Sequence, residues 1–395
     1  MSVSITVFLL FIGYIIFSID KKKENFPVPP ILVIIGIGLF FVPYFSQISV
    51  TKEIIYHVFL PGLLFVSAYQ FPFSDFKRYA GIITFLSTAG ILLTVLLLGT
   101  LIYAVSLPFI EIPFIGALLM AAILTPTDPV SVVSVLKKSA DDDLIADVVE
   151  GESLLNDGTS IVLFTFISGI YLQTQSISPM AFIGEFLYVS LGGIALGGVF
   201  GWLFSQAIHY THNKEYQVML SIILAYGSFN LAEFLGVSGV LATVFAGIML
   251  SFEFGRAIRE AHFREALDGF WGVIEISILS LLFLLIGILA ADYLIFNYWG
   301  LAVLVFAGSL IVRLLVIAGA TQLLPVWHKK MSMSECVLVS WSGLKGSVSI
   351  FLILSLKATG ADGIDLIISL TFAVVLISLV VQSIGVHPLS KKLLG

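Results

Sequence analysis

What this chain can fold into is limited first by an unbroken succession of apolar runs. From residue 2 to residue 387, stretches rich in Leu, Ile, Val and Phe follow one another with only short polar loops between them. The pattern predicts spans near 2–19, 27–43, 54–70, 79–107, 112–136, 144–172, 180–208, 215–233, 237–252, 267–291, 296–323, 333–356 and 363–387. A helix needs about 20 apolar residues to cross the hydrocarbon of a bilayer. The longest runs exceed this, so tilt or kinks are expected of them. The run at 237–252 is short and should extend into its loop. The expectation is an all-α polytopic membrane protein of about 13 transmembrane helices. Only 11% of the residues are charged, against about 25% in soluble domains. That excludes a water-soluble binding module or a nucleic-acid-binding protein. The first run lacks a basic leader and is followed by Lys21–Lys23, so it reads as a retained span, not a signal peptide. Cys336 is the single cysteine, which rules out an intrachain disulfide.

Charge in the loops tests the count. With Asp20–Glu24 placed in the cytoplasm and sides alternating, most of the 19 Lys and Arg residues fall on the cytoplasmic side. Only Lys52 and Lys357 fall outside. This bias predicts an external N-terminus and a cytoplasmic C-terminus. No domain boundary interrupts residues 1–395. The charged stretch 254–265 reads as a helical extension at the interface. The tail HPLSKKLLG reads as too short to fold. Histidines 57, 209, 212, 262, 328 and 387 sit at span ends or loops with no zinc-binding spacing.

Arg313 and Lys345 fall inside spans, as do several acids, and an ionisable group in hydrocarbon marks function by default. The fifth span carries Thr125-Pro126-Thr127-Asp128-Pro129 at its midpoint. Proline removes a donor and disfavours helix at the residue before it, so the backbone should unwind there. Unwound backbone at membrane depth survives where it is buried in protein or lines a cavity. The twelfth span is interrupted by Trp341-Ser342-Gly343-Leu344-Lys345-Gly346-Ser347. These breaks lie in the fifth of the first six spans and the fifth of the last six. That placement predicts two inverted six-helix repeats, about 1–172 and 215–387, joined by the span at 180–208, with crossed discontinuous helices.

In the sixth span Glu152, Ser153, Asn156 and Asp157 lie at i, i+1, i+4 and i+5 and form one polar flank. Asp157 and Ser153, with Asp128, Thr127 and a freed carbonyl, offer oxygens of the kind a small hard cation takes. Burial and a second nearby acid both favour the neutral form of a carboxylate. Such a site holds protons or a cation, but poorly both, and competition at one place is enough for exchange. Arg313, alone in an apolar span, needs an acid; Glu152 is the best available partner, which makes Glu152 structural. Asn156 adds no charge. Asp157, with Asp128 as auxiliary, then favours one cation for one proton. Lys345 could neutralise helix ends, pair with an acid, or reach toward the cytoplasmic boundary. Glu233, near the outer end of a thin span, is as open to a solvent-facing or packing role as to one in transport; Glu185 and Glu275 are left outside the site.

The segments TPTDPVSVVS (125–134), EGESLLNDGTSIVLF (150–164), AEFLGVSGVLATVFAGI (232–248), Arg313 in its helix and WSGLKGSVSI (341–350) resemble the monovalent cation:proton antiporter-1 family, of the NhaP and sodium–hydrogen exchanger type. The resemblance runs over nearly the whole chain. It implies that Asp157 is the essential ion-binding acid, with Asp128, Thr127 and Ser153 shaping the site and Glu152–Arg313 a structural ion pair. Asn156 before Asp157 is the pairing associated with electroneutral members. The resemblance further implies a homodimer in a microbial plasma membrane, with a moving core (about 79–172 and 296–387) on a dimerisation scaffold. Lys345 stands where many relatives carry arginine. The activity implied is sodium/proton antiport with no cofactor and no enzymatic step. Potassium or lithium in place of sodium, and a cation channel, are the alternatives.

Overall fold

A computed structural model describes residues 3–21, 27–46, 51–128, 132–133, 136–137, 144–174, 178–211, 213–256, 261–323, 327, 331–361 and 363–394. Among these residues the chain is helical throughout, with no strand. The helices are α1 (Val3–Asp20), α2 (Val28–Phe40), α3 (Leu60–Gln70), α4 (Phe73–Ser106), α5 (Phe114–Ile123), α6 (Leu144–Tyr171), α7 (Pro179–Tyr210), α8 (Lys214–Phe234), α9 (Gly239–Arg256), α10 (Ala261–Ala291), α11 (Trp299–Leu323), α12a (Met333–Trp341), α12b (Ser347–Lys357) and α13 (Ile364–Leu394). Eight of them are long and apolar enough to cross a membrane alone; α2, α5, α9 and α12b are shorter apolar helices among them. Each predicted span has its helix, and the fifth and twelfth are broken.

Several boundaries differ from expectation for local reasons. Two π-helical turns, Ile55–Phe59 before α3 and Leu86–Gly90 within α4, were not foreseen; such turns leave no mark in apolar periodicity and gather at functional places. The short ninth span extends to Arg256, and α10 starts at Ala261, so the charged stretch is helical on both flanks. The tail read as too short to fold instead continues α13 through Pro388 to Leu394. Proline costs one donor there, while Lys391 and Lys392 meet the negative end of the helix. Pro129, His212, His328 and residues 257–260 lie outside the described residues.

The helix at the centre is α6, buried from Ile145 through Ser160 apart from Glu150. It touches helices of both halves of the chain, including α4, α5, α9, α12a and α12b. Apolar side chains that stay exposed, such as Phe11, Leu187, Val273 and Leu315, stud the periphery of the bundle. On a chain of this composition those faces suit lipid.

Candidate ion-binding site

Backbone groups at the two breaks find partners across the crossing, as membrane depth demands. α5 stops at Ile123, and residues 124–128 leave the helix. The Asp128 N–H donates to the Leu344 carbonyl at 2.8 Å, so the two interrupted helices meet backbone to backbone. The Thr127 carbonyl accepts from the Ser153 hydroxyl at 2.5 Å, and the Thr127 hydroxyl accepts from the Asn156 amide at 2.8 Å. On the other side, the Lys345 N–H donates to the Ser378 hydroxyl at 3.0 Å. Ser378 in turn donates to Gln382, whose amide donates to the Trp341 carbonyl at 2.6 Å, while the Trp341 indole donates back to the Gln382 carbonyl. Thus α13 clamps the second break. Sequence reasoning missed Ser378 and Gln382. Their signal is a polar pair four residues apart in an otherwise apolar span.

The bare glycines of the second break admit charged groups. A Cβ at Gly346 would lie 2.4 Å from the Asp128 Oδ2 atom, and a Cβ at Gly343 would lie 2.6 Å from the Arg313 Nε atom. The Asp128 carboxylate therefore rests on the residue that precedes α12b, at the positive end of that helix. Arg313 reaches under Gly343 and donates to both carboxylate oxygens of Glu152, at 2.9 and 2.6 Å. The pair is bidentate and buried, with Glu152 4% and Arg313 8% exposed. Ser87, in the π-helical turn of α4, donates to the Glu152 carbonyl and holds this part of α6.

Beside the crossing lies a cavity of about 40 Å³. Its polar lining is Ser67, Asp128, Ser153, Asp157 and Ser347; Leu60, Leu63, Leu64, Leu154 and Leu279 supply the apolar part. A water needs about 10–15 Å³ measured this way, so the cavity holds only a few waters and an ion seated there gives up part of its hydration. Asp157 is buried, and among the described residues its Oδ1 has no hydrogen-bond partner. Asp128 and Asp157 stand within electrostatic reach of each other. An anionic Asp157 with no donor to Oδ1 among the described residues is costly here. A proton or a small cation removes that cost, and each leaves less for the other.

The residues singled out by sequence are thus divided. Asp128, Ser153 and Asp157 reach the cavity. Thr127 and Asn156 do not line it; their polar groups are used on each other, which gives them a place in holding the break. Ser153 lines the cavity but gives its proton to the Thr127 carbonyl. Glu152 and Arg313 pair away from the cavity. Lys345 is buried at the crossing, 5% exposed, not extended to a membrane boundary, and lies within electrostatic reach of the Glu152–Arg313 pair. Glu275, set aside from sequence, lies one turn from the cavity-lining Leu279 on α10 and within electrostatic reach of Asp128. Its place inside an apolar span marks it, but that span shows no break, and its nearness to Asp128 depends on packing between helices.

The family model for the transmembrane sodium/hydrogen exchanger matches residues 7–392. The chain belongs to the sodium/hydrogen exchanger family. Among its relatives, the Na+/H+ antiporter NhaG of Bacillus atrophaeus is 35% identical, over 98% of this chain and 74% of its own length. The Na+/H+ antiporter NhaH of Halobacillus dabanensis is 32% identical, over 98% of this chain and 96% of its own. The fold is that of the sodium proton antiporter MjNhaP1 from Methanocaldococcus jannaschii, with a TM-score of 0.79, 22% identity, and coverage of 100% of this chain and 98% of that one. As in other exchangers of this family, the protein is a multi-span membrane protein.

Proposed function

We propose that this exchanger is a secondary active sodium/proton antiporter that trades one sodium ion for one proton by alternating access. The observation that carries the reading is the buried carboxylate of Asp157, whose Oδ1 has no hydrogen-bond partner among the described residues, in a small cavity that it shares with Asp128. Asp128 shares the cavity, but its charge is offset by the start of α12b, and the charge of Glu152 is taken by Arg313. Of the two acids lining the cavity, Asp157 is left to carry the exchanged charge, which supports one-for-one, electroneutral exchange. Asp157 and Asp128 are the ion-binding acids, and Ser153 contributes its oxygen beside them. Thr127, Asn156 and Lys345 hold the crossing.

The cavity lies on a seam. Leu60, Leu64, Ser67 and Leu279 come from α3 and α10, and Asp128, Ser153, Asp157 and Ser347 come from α5, α6 and α12b or their breaks. This supports a core of about 79–172 and 296–387 that moves against a scaffold of the remaining spans, carrying the site from side to side. The scaffold forms the homodimer contact, in a plasma membrane with the N-terminus outside.

Reconstituted in proteoliposomes with an internal pH dye, the protein is expected to move protons when sodium is added, with rate unaffected by a clamped membrane voltage. Parallel additions of lithium and potassium rank the cargo. Proton movement independent of every cation, or steady single-channel current, would overturn antiport. Voltage-dependent flux at fixed gradients would overturn the one-for-one ratio alone.

A further inference from the structure

Tyr56, in the π-helical turn ahead of α3, joins three elements. Its hydroxyl donates to Glu233 Oε1 at 2.9 Å. The same carboxylate oxygen accepts the Gly239 N–H at 2.9 Å, one of the orphan donors at the start of α9. The Tyr56 ring stacks on Phe351 of α12b, with centroids 4.3 Å apart and planes 13° from parallel, and Phe229 meets it edge-on. Glu233 and Gly239 lie at the ends of α8 and α9 that the loop charges place outside.

The position of this stack relative to the cavity follows from helical spacing. Leu60 and Ser347 line the cavity. Tyr56 and Phe351 lie four residues from each, one turn farther toward the outer end. The stack spans the same seam as the cavity, with Tyr56 on the scaffold side and Phe351 on α12b. Glu233 fixes the scaffold half of the contact to the α8–α9 connection. A half-buried acid capping α9 already accepts the Gly239 N–H; the added bond to Tyr56 fixes the angle of a ring that meets the other body.

We propose that Tyr56 is a positioning residue for exchange: anchored by Glu233, it lies over Phe351 and closes the outer route to the ion cavity in this conformation. Opening outward requires α12b to slide off the ring. Glu233, which the sequence left undecided, then sets how firmly the outer side is shut. This rests on the alternating-access reading above and on its orientation.

The test reads access, not transport. In a Cys336→Ser background, Leu60→Cys is exposed to a membrane-impermeant thiol reagent from outside in right-side-out vesicles. Reaction is expected to be slow with Tyr56 present. Tyr56→Phe keeps the ring and loses a hydrogen bond to a carboxylate, and should raise the outside rate about tenfold. Tyr56→Ala removes the ring and should raise it further, with a matching fall in labelling from the inside in inverted vesicles. Fast outside labelling with Tyr56 intact, or unchanged rates in Tyr56→Phe, would overturn the assignment. Should the Ala variant fail to fold, the near-isosteric Phe variant decides alone. If labelling shifts as expected in protein that exchanges no sodium for protons, the closure stands and the cargo reading falls. If exchange proceeds and labelling does not shift, the closure falls by itself.

Discussion

Asp157→Asn is expected to abolish sodium-driven proton flux while leaving the protein folded. The substitution keeps shape and removes charge. Among the described residues nothing donates to Asp157 Oδ1, so losing the anion relieves a desolvation cost instead of creating one. The cation, by contrast, loses its main countercharge. A unit charge pair about 4 Å apart at an effective dielectric near 20 is worth about 4 kcal/mol, or about three orders of magnitude in affinity. The proton loses its carrier as well. Flux at the detection limit, with an unchanged elution profile in detergent, is the expected result. Asp128→Asn should be severely impaired but less completely, because α12b already offsets that carboxylate. Normal exchange by Asp157→Asn would remove Asp157 from the role.

The second large effect falls on folding. Arg313→Ala leaves Glu152 buried at 4% exposure with its bidentate partner gone, and Glu152→Gln strands the guanidinium. Breaking a buried pair from one side costs about 3–5 kcal/mol. Both variants should show a lower folded yield and earlier thermal aggregation. Removing both charges together, as Glu152→Leu with Arg313→Met, should recover much of that loss, since the penalty is a stranded charge and not a missing contact. A double variant no better than either single one would mean that the pair does more than neutralise itself.

Much of this arrangement was legible before any coordinates. Apolar runs located the spans because hydrocarbon leaves the chain few alternatives. The prolines around Thr127-Asp128 and the glycines around Lys345 located the breaks. Glu152 and Arg313 found each other by elimination, since few other charges lie within spans. What stayed hidden depends on orientation between helices. That Thr127 and Asn156 spend their polar groups on each other, and not on the cavity, is a matter of side-chain direction. Ser378 and Gln382 look like tolerated polar residues until α13 is seen against the second break. Tyr56 and Glu233 are 177 residues apart, and nothing local in either segment announces the other. The helical tail past Pro388 shows a different limit: a segment too short to fold alone continues the helix that precedes it.

The most direct test is to add sodium to the detergent-purified protein in weak buffer and measure protons released and sodium bound, over a series of pH values. If one carboxylate serves both, about one proton should leave per sodium bound where the site is protonated, and apparent sodium affinity should weaken about tenfold for each unit of acidification there. The Asp157→Asn protein should release none. Sodium binding with no proton release, or with an affinity indifferent to pH, would contradict a shared site.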